Sequence, residues 1–377
     1  MDLSLTPNQE LLRNTAREFV QRDCPKEVLV DLGDSETGYT EEMWNTVSGI
    51  GWPGMLIPEV YGGTGGSLMD AAVVFEELGR GPLAGPYFSS GVLGALTVLE
   101  AGTEEQKGSI LPEVAAGRQI LSVAITEPDY GWGPEDIRMA AAVRNGTYVL
   151  NGTKLFVHDA MAATHFVCAV RTGDSQDATQ GISLLVVDAR APGISRRSLP
   201  GFMTSVAEVT FDSVEVPQSA LLGNGQGSSW HALDQAMQKA IPVLCAYKVG
   251  GCAAVFDISV DYSRTRMQFG TAIGRLQRVQ DHIINIVNAL DAARWATYQS
   301  LWELDTGRPA TASVHMAKAV ASDSYLKACN SAHEVHAGIG IVREYGLTLF
   351  TRMSRTLYHF LGDPKHHKRL LGQALDL

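Results

Sequence analysis

The sequence predicts an α+β protein in which a helical region, a β region and a second helical region follow one another. Apolar residues recur at helical spacing near the N-terminus. The period falls to two from about residue 120, and it returns to helical spacing after residue 226. We therefore expect three domains: an N-terminal helical domain (1–119), a central β domain (120–225) and a C-terminal helical domain (226–377).

The N-terminal region opens with a well-marked helix start. In "LTPNQELLRNTAREFV", Thr6 is the predicted N-cap, Pro7 the first helical residue and Gln9 the partner in a capping box. A second helix, "MDAAVVFEELGR", is expected to end at Gly79. The glycines of "PEVYGGTGGS" (58–67) could cradle a phosphate. We favour a surface turn, because no Gly-Lys-Ser/Thr follows them.

The central region has the alternation and turn signals of a small β domain. The predicted strands are "ILSVAIT", "AAVRNGTYVLNGTKLFV", "HFVCAV", "ISLLVVD" and "VAEVTFDSVEV". Asn145-Gly146 and Asn151-Gly152 are typical of hairpin turns. Five or more short antiparallel strands in about a hundred residues indicate a barrel or a sandwich.

The C-terminal region predicts an antiparallel bundle. It follows "LLGNGQGSSW", whose glycines resemble a nucleotide loop but lack a surrounding βαβ unit, so we interpret the segment as a linker. The helical pattern predicts helices at 228–263, 278–305, 311–337, 345–360 and 364–374. Long helices joined by short loops favour a bundle.

Composition excludes several classes of protein. A net charge of −11 and the lack of a basic stripe argue against a nucleic-acid partner. The N-terminus lacks the pattern of a signal peptide, and no apolar stretch of 18 residues is expected, which argues against a membrane span. The five scattered cysteines fit reduced thiols in a cytoplasmic protein.

Histidine pairs suggest metal sites but have unsuitable spacing. His333 and His336 lie at i and i+3, whereas metalloprotease ligands lie at i and i+4. His366 and His367 are adjacent, so on a helix they point about 100° apart. We expect no metal, and we interpret the second pair as part of a solvated basic face with the neighbouring Lys365, Lys368 and Arg369.

Seven segments, in order, resemble the acyl-CoA dehydrogenase flavoproteins. They are "PEVYGG", "FEELGR", "AITEP", "NGTKLFV", "VTFDSVEVP", "RMQFGTAIGRLQRVQ" and "HAGIG". The resemblance implies N-terminal helices, a central β domain and a C-terminal four-helix bundle that oligomerises. It also implies FAD between the β domain of one subunit and the bundle of its neighbour, an acyl-CoA substrate and electron-transfer flavoprotein as acceptor.

In this family a carboxylate removes the α-proton of the acyl-CoA, and both known positions for that base lack an acid in this sequence. The Tyr-Glu-Gly of most members corresponds to Phe360-Leu361-Gly362, so Leu361 replaces the glutamate. The alternative position, early in the first long C-terminal helix, corresponds to Ala240. Asp363 is offset from the target by about 200° on a helix, and Asp-Pro favours a helix cap over a displaced base.

The resemblance also assigns flavin contacts. Arg266, which could pair with the pyrophosphate, and Phe269, Gln277 and Gly338 retain bundle residues that reach a neighbour's FAD, although Glu334 and Ala337 depart from the family pattern. On the β-domain side the corresponding residues are Thr126, Phe156 and His158. Trp132 and His158 replace smaller groups there, so this chain's own flavin face is expected to be degraded.

We interpret the chain as the base-lacking subunit of a bacterial heterotetrameric (α2β2) acyl-CoA dehydrogenase of the type that acts on steroid-derived or other bulky CoA esters. A base-containing homologue would be its partner. The alternatives are a homomeric dehydrogenase whose base is Asp363, Asp234 or His158, a flavin oxidase or monooxygenase on the same fold, and a non-enzymatic protein that binds CoA esters or a partner.

Overall fold

The computed structural model describes residues 4–144, 146–203 and 205–377. These residues form two compact units. The helical unit comprises residues up to Asp34, Ser67–Leu83 and Ile241–Leu377, and the mixed unit comprises Ser35–Gly66 and Ala84–Ala240. The predicted helical–β–helical order is confirmed, while the predicted boundaries after residues 119 and 225 stay predictions.

The N-terminal third is helical, with α-helices α1 Pro7–Asp23, α2 Lys26–Leu32, α3 Glu41–Gly49, α4 Leu68–Arg80, α5 Ala95–Ala101 and α6 Glu104–Ala115. The predicted capping box of α1 is present: the Thr6 hydroxyl accepts from the Gln9 amide, and the Gln9 side chain accepts from Thr6 N–H. The segment 58–67 forms turns around a short 3₁₀ helix, as expected.

The predicted end of α4 at Gly79 is wrong by one residue, because the helix continues to Arg80. Gly79 instead lies where the backbones of two helices are in close contact. A Cβ there would lie 1.9 Å from the carbonyl oxygen of Tyr247, and a Cβ at Gly250 would lie 1.8 Å from that of Glu76. Both glycines allow two helix backbones to approach more closely than any side chain permits.

The strands of the mixed unit form two sheets. They are β1 Leu121–Ala124, β2 Ala141–Arg144, β3 Thr147–Val157, β4 His165–Arg171, β5 Ile182–Asp188, β6 Ile194–Ser198 and β7 Ala207–Pro217. The sheet orders are β1-β4-β5 and β2-β3-β7-β6. The sheets share one apolar core, in which the rings of Phe166 (β4) and Phe211 (β7) lie 6.3 Å apart, so the domain is a sandwich.

Three details of the β prediction need correction. β1 pairs with β4 in parallel, so the domain is not wholly antiparallel. Asn151-Gly152 is not a hairpin turn, because β3 runs through it and only shifts register against β7 there, with Gly152 at φ 146°. Strand β6 was not predicted. The other predicted turn is Asn145-Gly146. Gly146 has φ 78°, and Asn145 lies outside the described residues.

The C-terminal region has the five predicted helices within two residues of their expected ends: α7 Trp230–Thr265, α8 Gln277–Asp305, α9 Thr311–His336, α10 Leu347–Tyr358 and α11 Pro364–Ala374. A short hairpin, β8 Met267–Gln268 and β9 Thr271–Ala272, joins α7 to α8. The predicted α+β architecture, with a β region between two helical regions, is thereby confirmed.

Helix α7 contradicts the expectation that no apolar stretch of 18 residues exists. By length and composition it could cross a membrane, but 78% of its apolar window is buried within the structure, as in the core helix of a globular protein. All five cysteines are free and buried, in agreement with the prediction of reduced thiols.

Candidate functional site

Leu361, at the position to which the resemblance assigns the catalytic glutamate, lies on a tight turn between α10 and α11. Leu361 has φ 57° and Gly362 has φ 99°, so two successive residues adopt left-handed backbone. A Cβ at Gly362 would lie 2.5 Å from Nε2 of His367. Glycine is therefore required at 362, whereas Leu361 adopts a conformation that costs a branched side chain free energy.

Buried side chains hold both carbonyl groups of this turn. Lys318 Nζ donates to the Gly362 carbonyl at 2.5 Å and to the Tyr358 carbonyl, at the end of α10, at 3.3 Å. His367 Nε2 donates to the Leu361 carbonyl at 2.7 Å. Backbone geometry at position 361 is therefore fixed by side chains from α9 and α11.

The same contacts indicate which ring nitrogens of two buried histidines carry a proton. Because His367 Nε2 donates to a carbonyl, Nδ1 of the neutral ring accepts, and it lies 3.1 Å from Nδ1 of His315. Burial lowers the pKa of His367 to about 2 and that of His315 to about 4. The interpretation of His367 as part of a solvated basic face is wrong, because it is 2% exposed.

A second buried lysine adjoins Lys318. Lys248, on α7, donates to the Ser322 hydroxyl at 2.7 Å, and Lys318 donates to the same hydroxyl at 3.2 Å. Neither amine has a carboxylate within ion-pair distance among the described residues. Burial lowers the pKa of Lys248 to about 8 and that of Lys318 well below its usual range, and the charge on Lys248 lowers the latter further. The side chains that hold the turn at 361 and 362 are therefore an amine and an imidazole, Lys318 and His367.

The acid closest in sequence to the base position serves as a helix cap. Asp363 Oδ1 accepts from the His366 amide at 2.7 Å, and Pro364 is the first residue of α11. One oxygen of its carboxylate is thus occupied as the N-cap of α11, which favours a structural role over proton transfer. Ala240 lies within α7 and is fully buried.

Two of the predicted bundle contacts lie together at the β8–β9 hairpin. Phe269 and Gly270 form its two-residue loop, with φ 53° and 76°, and the Phe269 ring is 89% exposed. Arg266 precedes β8, is exposed and makes no ion pair among the described residues. An exposed aromatic side chain held in a strained turn beside an unpaired guanidinium can bind an anionic, aromatic ligand.

The other two bundle contacts are separate from the hairpin in sequence. Gln277 is the exposed first residue of α8. Gly338 lies in the 3₁₀ turn that follows α9, and a Cβ there would meet nothing within 4 Å. The exposed backbone at Gly338 leaves room for close approach of a ligand. His336, in the neighbouring "HEVH", instead stacks on Tyr262, and the described residues contain no cluster that could hold a metal.

The three β-domain residues come together at the end of β3. The Thr126 carbonyl accepts from the Leu155 amide at 2.8 Å, which brings Thr126 beside Phe156. Phe156 adopts φ 51°. His158 is 6% exposed, and burial lowers the pKa of its imidazole to about 3, so the ring is neutral. A buried neutral imidazole occupies the position of a small hydroxyl side chain in the family pattern.

Aromatic side chains crowd this β-domain face. The ring of Tyr130 lies 4.9 Å from that of Trp132 and 5.5 Å from that of Phe156, in edge-on geometry. Phe202 approaches Phe156 at 6.1 Å. The edge-on rings of Tyr130 and Phe202 thus pack against Phe156 within the chain. A flat ring system that stacked on Phe156 would have to compete with these contacts.

Sequence reasoning missed a buried ion pair that organises this face. Lys154 Nζ, fully buried, donates to Glu127 Oε1 at 2.7 Å and to the Ile125 carbonyl at 3.1 Å. Glu127 also accepts from the amides of Arg138 and Met139. Burial lowers the pKa of Lys154, and the charge on Glu127 opposes that shift. Both residues stand in the quoted motifs "AITEP" and "NGTKLFV", whose juxtaposition could have revealed the pair.

Comparison with known proteins identifies the family. The N-terminal, middle and C-terminal domain models of acyl-CoA dehydrogenases match residues 6–118, 122–214 and 227–375. The chain therefore belongs to the acyl-CoA dehydrogenase family. It is a member of a class of FAD-dependent oxidoreductases that act on CH–CH bonds.

Individual relatives cover the whole chain. Probable acyl-CoA dehydrogenase YngJ of Bacillus subtilis (strain 168) is 30% identical, with 100% of each chain covered. Acryloyl-CoA reductase (NADH) of Anaerotignum propionicum is 29% identical over 100% of this chain and 96% of its own. The FAD complex of PigA matches with a TM-score of 0.91 and 25% identity, with 100% of each chain covered.

Proposed function

We propose that this protein is a base-lacking subunit of an FAD-dependent acyl-CoA dehydrogenase that becomes active with a base-containing homologue. The observation that carries this proposal is Leu361, an aliphatic side chain on the turn to which the family resemblance assigns the catalytic glutamate. Ala240 leaves the alternative position without an acid. General base catalysis contributes about 10²- to 10⁴-fold in rate, so without a base we expect turnover to fall by about that factor.

The bundle residues support a role in completing a partner's flavin site. Arg266, Phe269, Gln277 and the backbone at Gly338 are exposed, and their donor and aromatic groups fit a dinucleotide. FAD would supply the two-electron oxidation of the acyl group, while these residues would bind and orient it. The crowded rings around Phe156 and the neutral imidazole of His158 fit the flavin poorly, which supports an incomplete site on this chain.

The remaining features of the proposal follow from the resemblance. The assembly would be an α2β2 tetramer in the cytoplasm, with electron-transfer flavoprotein as acceptor. Its substrate would be a bulky, for example steroid-derived, acyl-CoA. A homomeric enzyme with Asp363 as base is the main competitor, but the cap geometry of Asp363 favours the heteromeric proposal.

Purification with and without a base-containing homologue from the same genome tests the proposal. We expect the chain alone to show no acyl-CoA oxidation, and the co-purified complex to contain flavin and turn over. Asp363→Ala in the complex should lower stability, as expected of a lost helix cap, and should not cause the loss of turnover of about 10²- to 10⁴-fold expected of a lost base. Robust turnover by the isolated chain that Asp363→Ala abolishes would establish Asp363 as the base and exclude our proposal.

A further inference from the structure

A cavity of about 400 Å³ lies in the helical unit, away from the residues assigned to the flavin. It is lined by residues of α1, α4 and α8 and by Leu5, which precedes α1. Its apolar and aromatic lining comes from Leu5, Val73, Trp295 and Tyr298. The cavity is open to solvent, since Trp295 is 57% exposed. Its volume and its mixture of apolar and polar groups are typical of a site for a small organic ligand.

The two carboxylates that line the cavity already have donors from the protein. Glu77, which is 4% exposed, accepts two hydrogen bonds from Arg17, at 2.7 and 3.2 Å. Glu76 Oε2 accepts from the Tyr298 hydroxyl at 2.6 Å. Burial and the charge on Glu76 raise the pKa of Tyr298, so this hydroxyl keeps its proton and remains a donor. The acceptors of the cavity are thus largely occupied within the chain.

The two arginines that line the cavity, by contrast, have unused donors. Among the described residues the Arg294 guanidinium approaches Glu76 Oε1 at 3.5 Å and Asp291 Oδ1 at 3.8 Å, both longer than a strong hydrogen bond. Arg13 donates to Glu10 through one terminal nitrogen, and its Nε has no hydrogen-bond partner in the part of the chain that the structure describes. A guanidinium presents several donors in a planar fork that fits a carboxylate. The cavity therefore offers donors rather than acceptors to a ligand.

We propose that this cavity binds a small aromatic carboxylate. Arg294 pairs with the carboxylate, and the exposed indole of Trp295 packs against the aromatic ring. Arg13 adds positive charge, since both guanidinium groups lie near enough to the Tyr298 hydroxyl to oppose the rise in its pKa. The inference goes beyond the proposed function, which assigns a role to none of these residues.

Titration calorimetry on the purified full-length chain tests the proposal with three probes of similar shape: naphthylacetate, naphthylethanol and naphthylethylamine. We expect the acid to bind about tenfold to a hundredfold tighter than the alcohol, as for a charge-assisted contact to a carboxylate. The amine should bind no tighter than the alcohol, because the acceptors of the cavity are occupied. Equal affinities for the three probes, or no binding of the acid by the wild-type chain, would overturn the inference.

Variants locate the site, once a native circular dichroism spectrum shows that each of them folds. Arg294→Gln should remove the preference for the acid, because an amide carries no charge, and Arg294→Lys should retain part of it. Trp295→Ala should weaken all three probes. Arg278→Gln is the matched control, since Arg278 is exposed on the same helix and lies outside the cavity lining. It should bind the acid as wild type does, and so should Arg266→Ala. A preference that survives Arg294→Gln, or that Arg266→Ala abolishes, would place the acid elsewhere and refute the proposal.

Discussion

At the scale of single residues, Leu361 offers the most direct test of what this chain lacks. Lys318 and His367 hold the backbone carbonyl groups of the surrounding turn. A carboxylate introduced at 361 would therefore be attached to an ordered backbone. We predict that Leu361→Glu introduces or raises acyl-CoA oxidation by about 10²- to 10⁴-fold, the usual contribution of a general base. The measurement is turnover with an artificial electron acceptor under conditions in which flavin is bound.

The matched control is Leu361→Gln, which has the shape of the glutamate variant without its basicity. If Leu361→Gln and Leu361→Glu have the same activity, position 361 does not present a base to substrate. In that case the correspondence between Leu361-Gly362 and the family's Glu-Gly is incorrect.

Arg266 has a predicted role in binding FAD that can be tested separately from the missing base. If its exposed guanidinium binds the flavin pyrophosphate, Arg266→Ala removes a charge-assisted contact of about 1.5 to 3 kcal/mol, equivalent to roughly tenfold to hundredfold weaker FAD. Flavin content of the complex, measured by absorbance after gel filtration, reports the loss. Arg264→Ala, also exposed and two residues earlier, is the control and should retain full flavin. Equal flavin content in both variants would exclude the assignment.

At the scale of secondary-structure elements, the histidines between α9 and α11 predict acid sensitivity. His315 and His367 have folded-state pKa values of about 4 and about 2, below the usual value of 6.5. Below pH 6.5 the unfolded chain binds protons that the folded chain does not, so the free energy of unfolding falls as pH decreases from 6.5 towards 4. For His315 alone the loss is on the order of 3 kcal/mol.

Urea unfolding between pH 7.5 and 4.5 measures this dependence. His315→Gln with His367→Gln should have lower stability at pH 7.5, because the hydrogen bond to the Leu361 carbonyl is altered, but a weaker decrease on acidification. A double variant whose stability falls as steeply as that of wild type would show that other groups cause the acid sensitivity.

The buried pair Lys154–Glu127 predicts a large local effect on the β domain. Lys154→Met leaves the Glu127 carboxylate buried with only its two backbone donors, and removal of one member of such a pair costs about 3 to 5 kcal/mol. The exposed pair Arg138–Asp129 in the same loop is the control, since Asp129→Asn should change stability by less than about 1 kcal/mol. Thermal unfolding of both variants provides the comparison, and similar small shifts would contradict the prediction.

The sequence predicted elements better than it predicted contacts between them. Helix α1 and the five C-terminal helices were predictable because caps and periodicity are local. The prediction of a hairpin turn at Asn151-Gly152 was wrong because a bulge and a hairpin have the same local composition. Only the pairing of β3 with β7 distinguishes them. The prediction that His367 is solvated was wrong because its burial depends on α9, some fifty residues earlier in the chain. The pair Lys154–Glu127 required the same long-range information.

At the scale of the whole assembly, the proposal predicts flavin stoichiometry. An α2β2 tetramer would have four potential sites, each made from the β-domain face of one subunit and the bundle face of a neighbour. Overfilling a packed site costs about 1 to 3 kcal/mol, and a lost hydrogen bond about one more. We therefore expect two FAD per tetramer, bound to the partner's β-domain face. Native mass spectrometry and absorbance give the count, and four fully occupied flavins would refute the idea of a degraded face on this chain.

Because all five cysteines are buried, the rate at which each thiol is alkylated measures local opening of the structure around it. Burial raises the pKa of the Cys24, Cys168 and Cys329 thiols to about 12, so the reactive thiolate is scarce even where a reagent could enter. Alkylation then requires local opening, and its rate measures how often each region opens. Cys168 reports on the β sandwich, and Cys24, Cys245, Cys252 and Cys329 report on the helical unit. Peptide mapping after timed exposure to a thiol reagent would thus show which unit a partner subunit or FAD rigidifies, without any engineered label.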